Sequence, residues 1–123
     1  MRSAIAWSLA LAVASAPVAA LAQDWKEFTS ADGYSSAVDP ATIKASGTLR
    51  SFRLRVGKIG DSHYAIAEAT LDCTGRTLTM GDADLYDKDV KTGSKAADPA
   101  KPFTEPLGDE PSGDAILAFV CTN

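Results

Sequence analysis

The clearest pattern in the chain is two neighbouring runs in which apolar and polar residues alternate. In Leu49–Val56, Phe52, Leu54 and Val56 alternate with Ser51, Arg53 and Arg55. In His63–Cys73, Ala65, Ala67, Ala69, Leu71 and Cys73 share one parity, and Tyr64, Ile66, Glu68, Thr70 and Asp72 share the other. A period of two marks a half-buried strand, because successive side chains point to opposite faces. The stretch Gly57–Asp61 carries two glycines and turns the chain between the runs, so they are expected to pair as an antiparallel hairpin. Phe52, Leu54 and Val56 then lie on the alanine side, and Arg53 and Arg55 lie opposite, beside Glu68 and Asp72. Opposite charges across a strand pair contribute about 0.2–1 kcal/mol each, enough to favour this register. The alanine row is smooth, and a bulky element is expected to cover it.

Weaker patterns fill in the rest. Trp25–Thr29 and Tyr34–Val38 read as a first hairpin around the turn signal Ala31-Asp32-Gly33. Asp39-Pro40-Ala41-Thr42-Ile43 reads as a single helical turn, with Asp39 capping the free N–H groups and Pro40 at the first position. Gly75 permits a turn after Cys73, and Leu78, Met80, Leu85 and Tyr86 continue as one or two strands. Asp87–Gly113, with Pro99, Pro102, Pro106, Pro111 and four lysines, reads as a long surface loop. From Ser112 to Val120, Ile116, Phe119 and Val120 fall on one helical stripe, with Ser112 or Asp109 as cap. Periodicity alone does not separate this helix from a strand over Ala115–Cys121. The helix is preferred because it would cover Ala65, Ala67 and Ala69 and bring Cys121 to Cys73. The expected fold is α+β: an antiparallel sheet of five or six strands with a C-terminal helix packed on one face and tied to it by a disulfide.

The N-terminus carries a third pattern. Met1-Arg2 precedes an apolar run from Ala4 to Ala14, broken only by Ser8, and Ala20-x-Ala22 supplies small residues for a signal peptidase. The run falls short of the roughly 20 apolar residues that span a bilayer. A signal peptide over 1–22, cut after Ala22, is therefore expected, leaving one domain over 23–123 with no membrane span. No cysteine stands at the first position after the cut, so no lipid anchor is expected, and the destination is periplasmic or secreted. An oxidising compartment favours pairing the two cysteines, Cys73 and Cys121. Closing that loop of roughly fifty residues contributes about 4 kcal/mol in the chain-entropy picture.

Charge narrows the partners. Beyond Ala22 eleven basic residues face sixteen acidic ones, a net charge of about −5, which argues against a nucleic-acid partner. His63 is the one histidine and has no nucleophile-elbow serine to serve, so it reads as a turn residue. Asp82, Asp84, Asp87 and Asp89 form the densest acidic cluster, but Asp87 and Gly93 stand where a calcium loop needs a glycine and an acid. They read as a solvated turn. Arg53 and Arg55 share a face, Arg50 points away, and the pair is the candidate binding site. Charge pairing with Glu68 and Asp72 is the plainer role for them. No phosphate loop, zinc spacing or nucleotide fingerprint is present, so no cofactor is expected.

Trp25, the segment Val38-Asp39-Pro40-Ala41-Thr42-Ile43, the strand bearing Arg53 and Arg55, the step Leu71-Asp72-Cys73 and the late Cys121 follow in an order that resembles the surface-adhesin protein E family of small exported bacterial proteins. The resemblance implies an antiparallel sheet with a disulfide-tied C-terminal helix, and a non-enzymatic binding protein whose partners are host matrix or plasma proteins. The chain departs from the family in lacking the lipid-attachment cysteine. A second reading is a periplasmic inhibitor that blocks a cationic lytic enzyme such as lysozyme with an acidic loop. The expected binding surface is the exposed sheet face or the Asp87–Gly113 segment, and the oligomeric state is left open.

Overall fold

The computed structural model describes residues 24–30, 32–108 and 111–123. The expected signal peptide over 1–22, its cut after Ala22 and the alternative cap Asp109 lie outside them. The described strands are β1 (Lys26–Thr29), β2 (Tyr34–Ser46), β3 (Leu49–Lys58), β4 (His63–Asp72), β5 (Thr77–Asp87), β6 (Val90–Lys95) and β7 (Phe103–Pro106), followed by α1 (Pro111–Cys121). The sheet is antiparallel and follows chain order from β1 to β6, while β7 pairs with the first half of β5. The α+β architecture is the one the alternation implied.

The central hairpin has the expected register. Phe52 faces Ala69, Leu54 faces Ala67, Val56 faces Ala65, and Arg53 faces Glu68. The inner face is therefore apolar. Val38, Phe52, Leu54, Ala69, Leu71 and Leu78 meet Ile116, Leu117 and Val120 of α1 in one buried cluster. Phe28 of β1 packs edge-on against Phe119 at 5.8 Å, a geometry that contributes about 0.5–1.5 kcal/mol beyond area burial.

Three local expectations are corrected. Asp39–Ile43 is no helical turn: it lies within β2 as a bulge, with Asp39 facing Arg53 and Lys44 facing Ser51. Asp39 does cap, accepting the Ala41 N–H at 3.2 Å, but the Thr42 hydroxyl accepts the Arg53 N–H at 2.9 Å and keeps the segment joined to β3. The Asp87–Gly113 segment is no continuous loop, because β6 and β7 both attach to the edge of β5. Asp72 does not reach the arginines. Its carboxylate accepts the Thr74 and Gly75 N–H groups, each at 3.0 Å, in the turn to β5. A Cβ at Gly75 would lie 2.9 Å from that carboxylate.

The helix begins with Pro111 at its first position, where a missing N–H is tolerated, and Ser112 lies inside the first turn. Asp114 in that turn pairs with Arg76 at 2.7 Å, and the Arg76 carbonyl accepts the Leu107 N–H at 2.8 Å. At the other end Cys121 is bonded to Cys73, with Cα atoms 5.9 Å apart. Helix length limits what is covered. Eleven residues make about 16 Å of helix, whereas ten-residue strands such as β3 and β4 run about 33 Å. Helix α1 lies over the end of the sheet holding Phe52, Ala69 and Leu71. It does not sit on Ala65 and Ala67, as the alanine row had implied; there the inner face forms the floor of a cleft beside the β6–β7 connection. No helix among the described residues is long and apolar enough to cross a membrane.

Two measurements check this frame. Replacing both cysteines by serine should lower stability by about 4 kcal/mol in urea unfolding, the loop-closure value for a separation of 48 residues. A change under 1 kcal/mol would mean the unfolded chain is already constrained. The β5–β6 turn places Lys88 and Asp89 at φ of 51° and 66°, a conformation that disfavours a Cβ. Lys88→Gly should therefore raise the urea midpoint, by about 1 kcal/mol of stability.

Candidate functional site

The outer face of the sheet is built by the other parity of the same strands. Arg55 on β3 faces Ala37 on one side and Ile66 on the other, and Gly57 faces Tyr64, which in turn faces Tyr86. On the far side of Ala37 stands Glu27. Because Ala37 is short, the Arg55 guanidinium reaches over it to Glu27, at 3.7 Å. The same guanidinium lies over two rings, with its carbon 5.1 Å from the Trp25 centroid and 5.9 Å from that of Tyr64. Tyr64 stacks on Tyr86 at 5.1 Å, with only 8° between the planes. The result is a ladder, Trp25–Arg55–Tyr64–Tyr86, drawn from β3, β4, β5 and the residue just before β1. A cation over an aromatic face contributes about 0.5–1 kcal/mol when exposed.

Two small residues make the ladder possible. Ala37 leaves room beneath Arg55. Gly57 leaves room beside Tyr64, since a Cβ there would lie 3.0 Å from the Tyr64 Cβ and 3.2 Å from the His63 carbonyl oxygen. The Tyr64 hydroxyl donates to Asp89 at 2.7 Å. Burial, and then that carboxylate, push the phenol up to about 12. Tyr64 is therefore a neutral donor at any physiological pH.

Arg53 and Arg55 thus part ways. Arg53 pairs with its cross-strand neighbour Glu68 at 3.8 Å, as the alternation implied. Arg55 takes Glu27 and the aromatic rings in place of Asp72. Arg50 turns back on the carbonyls of Gly47 and Leu49. The acidic cluster is dispersed along β5. Asp82 accepts the Ala97 N–H, Asp84 takes Lys91 and Ser94, Asp87 takes Ser62 and His63, and Asp89 takes Tyr64. Among the described residues no group of three acids, histidines or cysteines has the geometry to hold a metal ion.

A hollow of about 180 Å³ opens beside the ladder, between Arg55, Lys58 and His63. Its imidazole lies between two carboxylates, Nδ1 at 2.9 Å from Asp61 and Nε2 at 3.4 Å from Asp87. The neighbouring Ser62 hydroxyl donates to Asp87 at 2.6 Å and not to the ring, so no serine–histidine pair is assembled here. The hydrogen bond with Asp61, and then the charge of Asp87, hold the His63 pKa above its ordinary value. The hollow is lined by the cations Arg55 and Lys58 and by the Asp61 carboxylate that holds His63, and it lies next to a stack of aromatic faces.

Comparison with protein-family models, with curated proteins and with solved structures found no match. The reading of the site therefore rests on its geometry. Sequence reasoning found Arg55 through parity, and placed Tyr64 on the same side of the hairpin. It missed Trp25 and Tyr86 as parts of the site. Trp25 is separated from Arg55 by β2, and no local pattern says that β1 will lie beyond β2 with an alanine between.

The imidazole gives this corner a pH signature. Its folded pKa is raised, so the stabilising contact is fully present below the ordinary histidine pKa of about 6.5 and is lost as pH rises through the folded value. An NMR titration should show His63 titrating above 6.5, with Asp61→Asn moving it down. A His63 pKa at or below 6.5 in the unsubstituted protein would show that the two carboxylates do not engage it.

Proposed function

We propose that this chain is an exported binding protein that takes a protein partner on the outer face of its sheet. The observation that carries the reading is the position of Arg55, held between Trp25 and Tyr64 with Tyr86 stacked behind. Tryptophan, tyrosine and arginine are the residues most enriched among those that dominate interface energies. Here they are ordered before any partner arrives, which lowers the entropy lost on association. Around them stand the exposed pairs Arg53–Glu68 and Lys91–Asp84, a polar rim about an aromatic centre.

The resemblance to the surface-adhesin protein E family supports the same reading and proposes host matrix and plasma proteins as partners. The leader-like pattern over 1–22 supports export, to the periplasm or beyond. The inhibitor reading asked for an acidic loop directed at a cationic enzyme. The acids of β5 and its turn are instead engaged by neighbours of their own chain, so the aromatic face is favoured over it.

The test is surface plasmon resonance with the disulfide-bonded protein against a panel of purified extracellular-matrix and plasma proteins, with lysozyme as a further analyte. Tyr86→Ala and Trp25→Ala should each weaken the captured partner by about tenfold or more, whereas the exposed control Thr122→Ala, past the end of α1, leaves it unchanged. Saturable binding of a matrix protein that none of the face variants disturbs would overturn the assignment of the face. Stoichiometric loss of lysozyme turnover on titration would move the reading to the inhibitor.

A further inference from the structure

We propose that the open half of the inner face is a second site, which binds a single-chain anionic amphiphile with its acyl tail along the alanine floor and its acid group at Lys95 and Lys101. The site is a cleft of about 510 Å³, within the range of about 300–1,000 Å³ usual for small-molecule sites. Its floor is Val56, Ala65, Ala67 and Ala83, where α1 does not reach. The connection from β6 to β7 stands over that floor as a wall. It contributes the methyl groups of Ala96 and Ala97, and Phe103 closes the side with 60% of its surface exposed. Val56, Met80 and Phe103 also line a second hollow of about 470 Å³, which continues the cleft toward Leu54 and Ile116. The two hollows together make an extended groove with an apolar middle at Val56, Met80 and Phe103, which suits an extended alkyl chain.

The two ends differ in charge balance, two ammonium groups against one carboxylate at one end and two carboxylates at the other. Lys95 and Lys101 line the end beneath the β6–β7 connection. Among the described residues neither ammonium is paired with a carboxylate. One carboxylate, Asp98, lines this end with them and accepts the Ala100 N–H at 2.9 Å, while Asp82 accepts that of Ala97 at 2.7 Å. The far end is bordered by Asp32 and Glu105. An acid head at the lysines satisfies two ammonium groups, and the same ligand reversed would set its charge against two carboxylates. A second copy of this chain fits the cleft less well. A flat protein surface does not enter a channel walled by the 96–102 segment, and the copy would bring a net negative chain of its own.

The experiment is isothermal titration calorimetry of the disulfide-bonded protein with the straight-chain fatty acids from octanoate to palmitate, each below its micelle concentration. One molecule should bind per chain, with affinity rising about fourfold per methylene until the channel is full. The alcohol of equal length should bind about fivefold more weakly. Lys95→Ser with Lys101→Ser should erase the difference between acid and alcohol and leave alcohol binding in place. Ala83→Phe should abolish both. Should that variant fail to fold, the two exposed lysines still decide the matter. No saturable binding of palmitate would overturn the proposal, as would binding indifferent to the head group. Ligand-free self-association that Ala83→Phe disrupts would also overturn it and assign the face to a second copy.

Discussion

A helix of eleven residues cannot cover a sheet whose central strands run ten residues each, and the rest of the structure depends on which part it covers. The disulfide fixes that choice, because Cys73 closes the end of β4 where Leu71 and Phe52 lie. Arg76 secures the other end of the helix through Asp114 and through the Leu107 backbone. Large side chains are found where the helix presses on the sheet. Beyond it the inner face changes to alanine, and the apolar floor is walled only by the β6–β7 connection. One length mismatch thus divides a single face into a dry core and an open channel.

How much of this was legible in the sequence depends on the range over which each decision is made. The pairing of β3 with β4 needs only adjacent residues, so parity gave both the register and the sidedness of Arg53, Arg55 and Tyr64. Asp39-Pro40 was misread because the same residues start a helix or form a bulge. In both, Asp39 accepts the Ala41 N–H, and what decides is the Thr42 hydroxyl meeting Arg53 eleven residues away. The 87–113 segment hides its strands for a related reason. Prolines and lysines weaken any local strand signal, yet β5 presents an edge whose backbone groups need partners. Segments of modest propensity are held there by the ladder. The Trp25–Arg55 contact demands the order of three strands and the smallness of Ala37, neither of which a linear pattern contains.

The outer face contributes little to the stability of the domain, and that bears on what it is for. The Arg55–Glu27 and Arg53–Glu68 pairs are separated by 3.7 and 3.8 Å, with both glutamates largely exposed. Pairs of this kind contribute about 0–1 kcal/mol and are screened by salt. The fold is carried by the opposite face, where Val38, Leu71 and Val120 are fully buried. A ladder of three rings and a guanidinium, aligned across the sheet from the start of β1 to β5 by two residues too small to obstruct it, is more order than the core requires. Because alternation sends the two sets of side chains to opposite sides, either face can change without disturbing the other. The domain can therefore present an aromatic, arginine-bearing surface on one side and an apolar cleft on the other, using the same three central strands for both.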